Sequence, residues 1–221
     1  MTTVLNLSNQ LRITEIFLSL QGEANTVGLP TVFVRLTGCP LRCQYCDSEY
    51  AFSGGEMKTL ETILADVAGL GVRRVTVTGG EPLAQPNVYP LMQSLCDQGY
   101  AVSLETSGAL SVAAVDDRVV RVVDLKTPDS GEVHRNLWDN MDCLAERDQI
   151  KFVICSRSDY DWAKLKCDQY SLCDRVTDVL FSPSFGQLDP TDLADWIVAD
   201  KLEVRMQLQL HKLLWGDEPG R

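Results

Sequence analysis

Three cysteines crowd into Cys39-Pro40-Leu41-Arg42-Cys43-Gln44-Tyr45-Cys46, immediately after the apolar, β-branched run Thr31 to Leu36. A strand over that run hands three thiols to one loop at the edge of a sheet. Thiolates grouped in this way hold iron–sulfur clusters, usually four to a cluster. The next cysteine is Cys96, far outside ligand spacing, so one iron of a [4Fe–4S] cluster stays open for a non-protein ligand. Two alternatives remain on spacing alone. A structural zinc site would draw a fourth ligand from a distant residue such as Cys96 or His134, and a ferredoxin would normally ligate its cluster fully.

The rest of the chain predicts the scaffold. Its 221 residues suffice for one sizeable core, and no Pro-, Ser- or Gly-rich linker divides them, which predicts a single domain over 1–221. Strand-like runs at Ile13–Leu18, Thr31–Leu36, Arg74–Thr78, Ala101–Glu105, Val119–Leu125, Gln149–Ile154, Asp178–Phe181 and Glu203–Gln207 alternate with helical patterns. The helices are expected over Thr59–Leu70, Asn87–Gln98, Asp139–Glu146, Asp159–Leu172 and Pro190–Asp200, with Thr59 and Asp159 as N-caps. Repeated βα units imply an α/β fold with mostly parallel strands and outer helices. A full eight-unit barrel takes about 250 residues, so an incomplete (β/α) barrel fits better.

Composition narrows the partners. A formal net charge of −11 argues against sequence-independent attraction to nucleic acid. No apolar run approaches membrane-spanning length, and Met1-Thr2-Thr3-Val4-Leu5 lacks the basic and apolar regions of a signal peptide, so a cytoplasmic protein is expected. In that compartment thiols stay reduced, and Cys96, Cys143, Cys155, Cys167 and Cys173 read as buried or incidental.

Polar groups recur at successive strand ends, where the ligand sites of βα folds lie. Thr78-Gly79-Gly80-Glu81-Pro82 ends one strand, Glu105-Thr106-Ser107-Gly108 the next, and Asp124-Leu125-Lys126-Thr127-Pro128 the one after. With CxxxCxxC ahead of them, and Tyr45 before the last cysteine, the pattern resembles the radical S-adenosylmethionine superfamily. That resemblance implies that Cys39, Cys43 and Cys46 ligate a [4Fe–4S] cluster. It further implies that S-adenosylmethionine occupies the open iron, that one electron splits it to a 5′-deoxyadenosyl radical, and that the GGEP motif meets its amino group.

Phe17-Leu18-Ser19-Leu20-Gln21-Gly22-Glu23, Phe33-Val34-Arg35-Leu36-Thr37-Gly38-Cys39, Cys46-Asp47-Ser48, ETSG, DLKTP, Gly131-Glu132 with Trp138, and Gln209-Leu210-His211-Lys212 narrow the resemblance. They are similar to the 7-carboxy-7-deazaguanine synthase family of 7-deazapurine and queuosine biosynthesis. Read as chemistry, Gln21 and Glu23 offer an amide and a carboxylate, and Arg35 a planar fork for an acid, a set that suits a pterin-like ring bearing a carboxylate. On residue type alone, an ion pair on a strand is the simpler explanation of Arg35.

The family resemblance implies that Leu20, Gln21, Gly22, Glu23, Arg35, Thr106 and His211 line the substrate. Tyr45, Cys46, Asp47, Gly79, Gly80, Glu81, Glu105, Gly108, Asp124, Leu125 and Lys126 would serve S-adenosylmethionine, and Ser48 would ligate Mg²⁺ where relatives usually carry threonine. The implied reaction removes hydrogen from C6 of 6-carboxy-5,6,7,8-tetrahydropterin and contracts the ring with loss of ammonia, in a homodimer fed by a flavodoxin- or ferredoxin-like reductant. Ala24 departs from the family, which often has glycine there, as does Asp124-Leu125-Lys126, where many members have Ser-Pro-Lys. The tail from Lys212 to Arg221 is longer than in some relatives. His134 reads as a surface or loop residue. A glycyl-radical activating enzyme would share the cluster loop and GGEP but act on a partner protein; Gln21, Glu23 and Arg35 favour a small acidic substrate.

Overall fold

The computed structural model describes residues 9–216, 218 and 220, so the opening residues 1–5 lie outside the described residues. Strand β1 (Gln10–Leu20) pairs antiparallel with β2 (Pro30–Leu36) on one side and with β3 (Glu56–Thr59) on the other. From β2 a parallel run continues through β4 (Arg74–Gly79), β5 (Ala101–Thr106), β6 (Val120–Asp124), β7 (Gln149–Ile154), β8 (Asp178–Pro183) and β9 (Arg205–Met206). The order β3-β1-β2-β4-β5-β6-β7-β8-β9 leaves β3 and β9 as unpaired edges of a nine-stranded sheet, which is the incomplete barrel expected.

Side chains alternate across the parallel strands because successive residues point to opposite faces. Val75 and Val77 of β4, Val102 and Leu104 of β5, and Ile150, Phe152 and Ile154 of β7 belong to the apolar core. Helix α1 (Leu60–Gly69) adds Leu60, Ile63 and Val67, α2 (Val88–Asp97) adds Val88, Leu91, Met92 and Leu95, and the later helices α3 (Arg157–Tyr170) and α5 (Pro190–Asp200) add Tyr160, Ala163, Leu193 and Ile197. The intervening positions Thr76, Thr78, Ser103, Glu105, Gln149 and Lys151 meet one another or the loop after β1 through hydrogen bonds. The concave face is therefore polar.

Several elements differ from the sequence reading. The helix expected over Asp139–Glu146 is a 3-10 segment, Trp138–Cys143, and the strand expected over Glu203–Gln207 shortens to Arg205–Met206. Thr59 caps α1, accepting from the Thr62 amide at 3.2 Å, but α3 is capped by Ser156 rather than Asp159. Asp159 is wholly buried and accepts instead from the Cys155 and Asp129 amides and the Thr127 hydroxyl, which pins the loop after β6 to the start of α3. Edge strand β3, the short α4 (Leu172–Arg175) and α6 (Leu210–Trp215) had no clear sequence signal. Among the described residues, no helix is long and apolar enough to cross a membrane.

The loop after β1 turns back under the sheet through Ala24, whose φ of 60° is left-handed. The Gln207 side chain clamps it from both sides, accepting from the Ala24 amide and donating to its carbonyl, each at 2.7 Å. A left-handed alanine costs about 1–2 kcal/mol and a glycine returns roughly 0.5–1 kcal/mol of that as unfolded-state entropy. Ala24→Gly should therefore raise the unfolding free energy by about 0.5 kcal/mol in urea denaturation. A clear loss would mean that packing of the buried methyl outweighs the strain.

Candidate active site

The cysteine loop leaves β2 at Leu36 and is held by the backbone of the loop after β4. Gly80 donates to the Leu36 carbonyl at 3.2 Å and Glu81 to the Gly38 carbonyl at 2.9 Å. Both glycines are required by this approach: a Cβ on Gly79 would lie 2.3 Å from the Leu36 carbonyl oxygen, and one on Gly80 2.7 Å from Cys39 Cβ. The glycine pair thus docks one loop on another, a use the sequence did not single out.

Cys39, Cys43 and Cys46 are free, partly buried, and line one cavity of about 450 Å³. Among the described residues, no three Cys, His, Asp or Glu side chains are grouped closely enough to hold a single metal ion, and Cys96 and His134 do not line this cavity. A mononuclear zinc site therefore lacks its ligand set. A [4Fe–4S] cluster, which takes one thiolate on each of three irons and leaves the fourth open, fits three thiols on one loop facing a cavity. Burial pushes the Cys43 thiol up to about 11 despite the Lys126 ammonium nearby, so metal must drive its deprotonation at neutral pH.

Glu81 does not line the cavity. Completely buried, its carboxylate accepts from the Leu83 amide, the Thr106 hydroxyl, and both the amide and hydroxyl of Ser107. It ties the loop after β4 to the loop after β5 and has no face left toward a ligand, unlike the amino-group contact expected for it. Gly108 and Leu125 also stand behind the cavity wall, while Gly79, Gly80, Thr106, Tyr45, Asp47, Ser48, Glu105, Asp124 and Lys126 are on it. Lys126 donates to Asp124 at 2.9 Å and stands 5.7 Å from the Tyr45 ring centre; the Tyr45 hydroxyl and Asp124 Oδ1 are buried without a hydrogen-bond partner among the described residues.

Leu20, Gln21, Gly22, Glu23 and Arg35 line the same cavity as the thiols. The Gln21 amide donates to Thr76 and Glu105, and its carbonyl accepts from the Glu23 amide. Arg35 donates through Nε to Glu15 at 2.7 Å, and the same carboxylate oxygen accepts from Tyr50 at 2.8 Å. An ion pair does form, across β1 and β2 rather than along one strand, yet it engages only the Nε edge of a guanidinium that lines the cavity. His211 of α6 packs against Gly22, where a Cβ would come within 2.1 Å of its Nδ1, and burial lowers its imidazole pKa, leaving it neutral at pH 7.

Three participants, Lys151, Ser184 and Gln187, had no motif to reveal them, and Gln209 stood in a quoted motif without a role of its own. Lys151 of β7 is ion-paired to Glu23, and Gln209 donates to Glu23 at 2.8 Å and to Asp47 at 3.1 Å. Ser184 and Gln187, after β8, also reach the wall. The inward register of Lys151, between the core residues Ile150 and Phe152, was the only signal available for it.

An open, mostly parallel sheet with three thiols on the loop after its second strand defines a class of protein. The radical SAM superfamily model matches residues 33–127. The crystal structure of QueE from Escherichia coli shares the fold, with a TM-score of 0.76 over 95% of this chain and all of that one, at 24% identity. The chain is 44% identical to a 7-carboxy-7-deazaguanine synthase of Koribacter versatilis, across 94% of this chain and 98% of that one. It is 43% identical to that of Chlorobaculum tepidum, across 94% and 96%. It belongs to the 7-carboxy-7-deazaguanine synthase family of radical SAM enzymes.

Replacing one Glu81 oxygen with an NH₂ group sets a donor against donors in a sealed pocket. Glu81→Gln should lower the unfolding free energy by about 2–3 kcal/mol, measured by denaturant titration; a change within error would mean that the loops are not held by this carboxylate. Gly22→Ala should expel His211 and expose the segment around α6 to limited proteolysis, whereas an unchanged cleavage pattern would contradict the packing described.

Proposed function

We propose that this chain converts 6-carboxy-5,6,7,8-tetrahydropterin to 7-carboxy-7-deazaguanine, contracting the ring with loss of ammonia. One observation carries the reading: a single cavity is lined both by the three-thiol loop and by Gln21, Glu23 and Arg35. Family membership over nearly the whole chain supports it. When bound, the cluster and S-adenosylmethionine supply a 5′-deoxyadenosyl radical, and that chemistry belongs to the cofactors.

The protein's own part is orientation and exclusion of water. Glu23 and the Gln21 segment accept the ring's N–H groups, and the unengaged edge of the Arg35 guanidinium takes its carboxylate. Glu15 and Tyr50 fix that guanidinium from behind. Asp124, Lys126 and Tyr45 form the wall for S-adenosylmethionine, with the unpaired Asp124 oxygen and Tyr45 hydroxyl left to meet its polar groups. Neutral His211 and the α6 segment cover the side nearest Gly22.

Ser48, beside Asp47 on the cavity wall, is the hard-oxygen ligand proposed for Mg²⁺, which commonly shares its shell with substrate oxygens. A homodimer and a flavodoxin- or ferredoxin-like electron donor complete the proposal.

Anaerobic assay of reconstituted, reduced protein with S-adenosylmethionine and Mg²⁺ should yield 7-carboxy-7-deazaguanine only when the pterin is added. Formation of 5′-deoxyadenosine without that product would sink the substrate assignment. Ser48→Ala should slow turnover by about tenfold or more while iron content stays unchanged. Unchanged turnover at saturating Mg²⁺ would remove Ser48 from the metal site.

A further inference from the structure

Lys151 is a buried ammonium in a position that stability does not demand. It sits mid-strand in β7 on the concave face, its side chain 11% exposed, and is ion-paired to Glu23, itself 12% exposed. Desolvating such a pair costs about as much as the attraction returns, and an apolar side chain at that point of a sheet would pack at least as well. The pair lines the cavity.

The surroundings of Glu23 show what the ammonium does there. Asp47 faces it from the cysteine loop, Glu105 from β5, and His211 and Lys212 from α6, with Asp124 of β6 and Arg35 of β2 on the same cavity wall. Burial and the Asp47 carboxylate both work to raise the Glu23 pKa, and Lys151, helped by the Gln209 hydrogen bond, holds it below the ordinary value. Glu105, which lacks an ion-pair partner of its own among the described residues, is pushed up by burial and by the Glu23 charge. Without Lys151, only the Gln209 hydrogen bond would oppose burial and Asp47, and the Glu23 value would move upward.

The difference matters because an ionised carboxylate only accepts hydrogen bonds, whereas a protonated one also donates. An aminopyrimidinone edge presents neighbouring N–H donors, which a carboxylate meets with two parallel bonds and a carboxylic acid meets with a donor set against a donor.

We propose that Lys151 is a positioning residue for substrate recognition: its ammonium fixes Glu23 as an acceptor-only carboxylate on the cavity wall and thereby selects the N–H edge of a heterocyclic substrate. The inference deepens the pterin assignment and rests on it for the identity of that edge. The charge relation between Lys151 and Glu23 stands on the geometry alone.

Two measurements on anaerobic, cluster-loaded protein test it. Calorimetric titration with 6-carboxytetrahydropterin from about pH 6 to pH 8 should give a flat Kd for wild type and K151R. In K151M the affinity should fall by about tenfold for each pH unit below the new Glu23 value. Infrared spectroscopy should show a carboxylic-acid band in K151M that is absent from wild type and is removed in the double variant carrying E23Q.

An unchanged Kd in K151M, or an equal loss at every pH without the acid band, would overturn the proposal, because a purely structural lysine predicts one of these. Wild type that fails to bind the pterin would refute the substrate assignment instead, and the infrared band would still decide the role of Lys151. If K151M does not fold, K151Q removes the charge while keeping a polar head, and the same outcomes apply.

Discussion

The active-site end of this molecule hangs on one carboxylate that water never reaches. Glu81 gathers donors from its own loop and from the loop after β5, while its backbone amide is bonded to Gly38 at the root of the cysteine loop. Three loops from three strands are thereby locked together, and two glycines make the approach sterically possible. A buried, fully bonded carboxylate of this kind is rigid because every alternative arrangement strands a donor or a charge in a low-dielectric interior. The three thiols inherit that rigidity, which a cluster site with no fourth protein ligand needs.

A second constraint acts along the strands. Apolar residues on one face of β4, β5 and β7 build the layer against the helices, and their neighbours turn threonine, serine, glutamate, glutamine and lysine into the concavity. Most large barrels fill this space with apolar side chains in layers. Here it is an electrostatic interior, balanced by pairing Glu23 with Lys151, Asp124 with Lys126 and Arg35 with Glu15. The loop from Gln21 to Asn25 crosses it from β1 to β7, so the chain's earliest motif becomes the floor beneath its latest strands.

Much of the fold was legible because period-2 and period-3.6 patterns are local. The parallel strands, α1, α2 and α5 fall within a residue or two of where apolar spacing put them. The misread elements lacked that local signal. Trp138–Cys143 carries mixed polarity and ends as a 3-10 segment; β3 is an exposed edge strand; α6 is only Leu210–Trp215 and packs through His211 on a glycine far away in sequence. Asp159 had the residue type of a cap, but its carboxylate is worth more to the Cys155 and Asp129 amides than to its own helix.

By itself the sequence determined the chemistry class. Three cysteines at that spacing after a strand, followed by polar groups at three successive strand ends, are a local arrangement that backbone geometry turns into a ligand-bearing rim whatever the remaining contacts. Only the tertiary structure decided what each group does there: that Glu81 faces protein and not ligand, that Arg35 is both ion-paired and on the cavity wall, and that Lys151 sets the charge of Glu23 across 128 residues of chain. The reason is physical. Bond geometry and hydrophobic period act between near neighbours, whereas the state of a buried charge depends on every dipole and charge that folding brings around it.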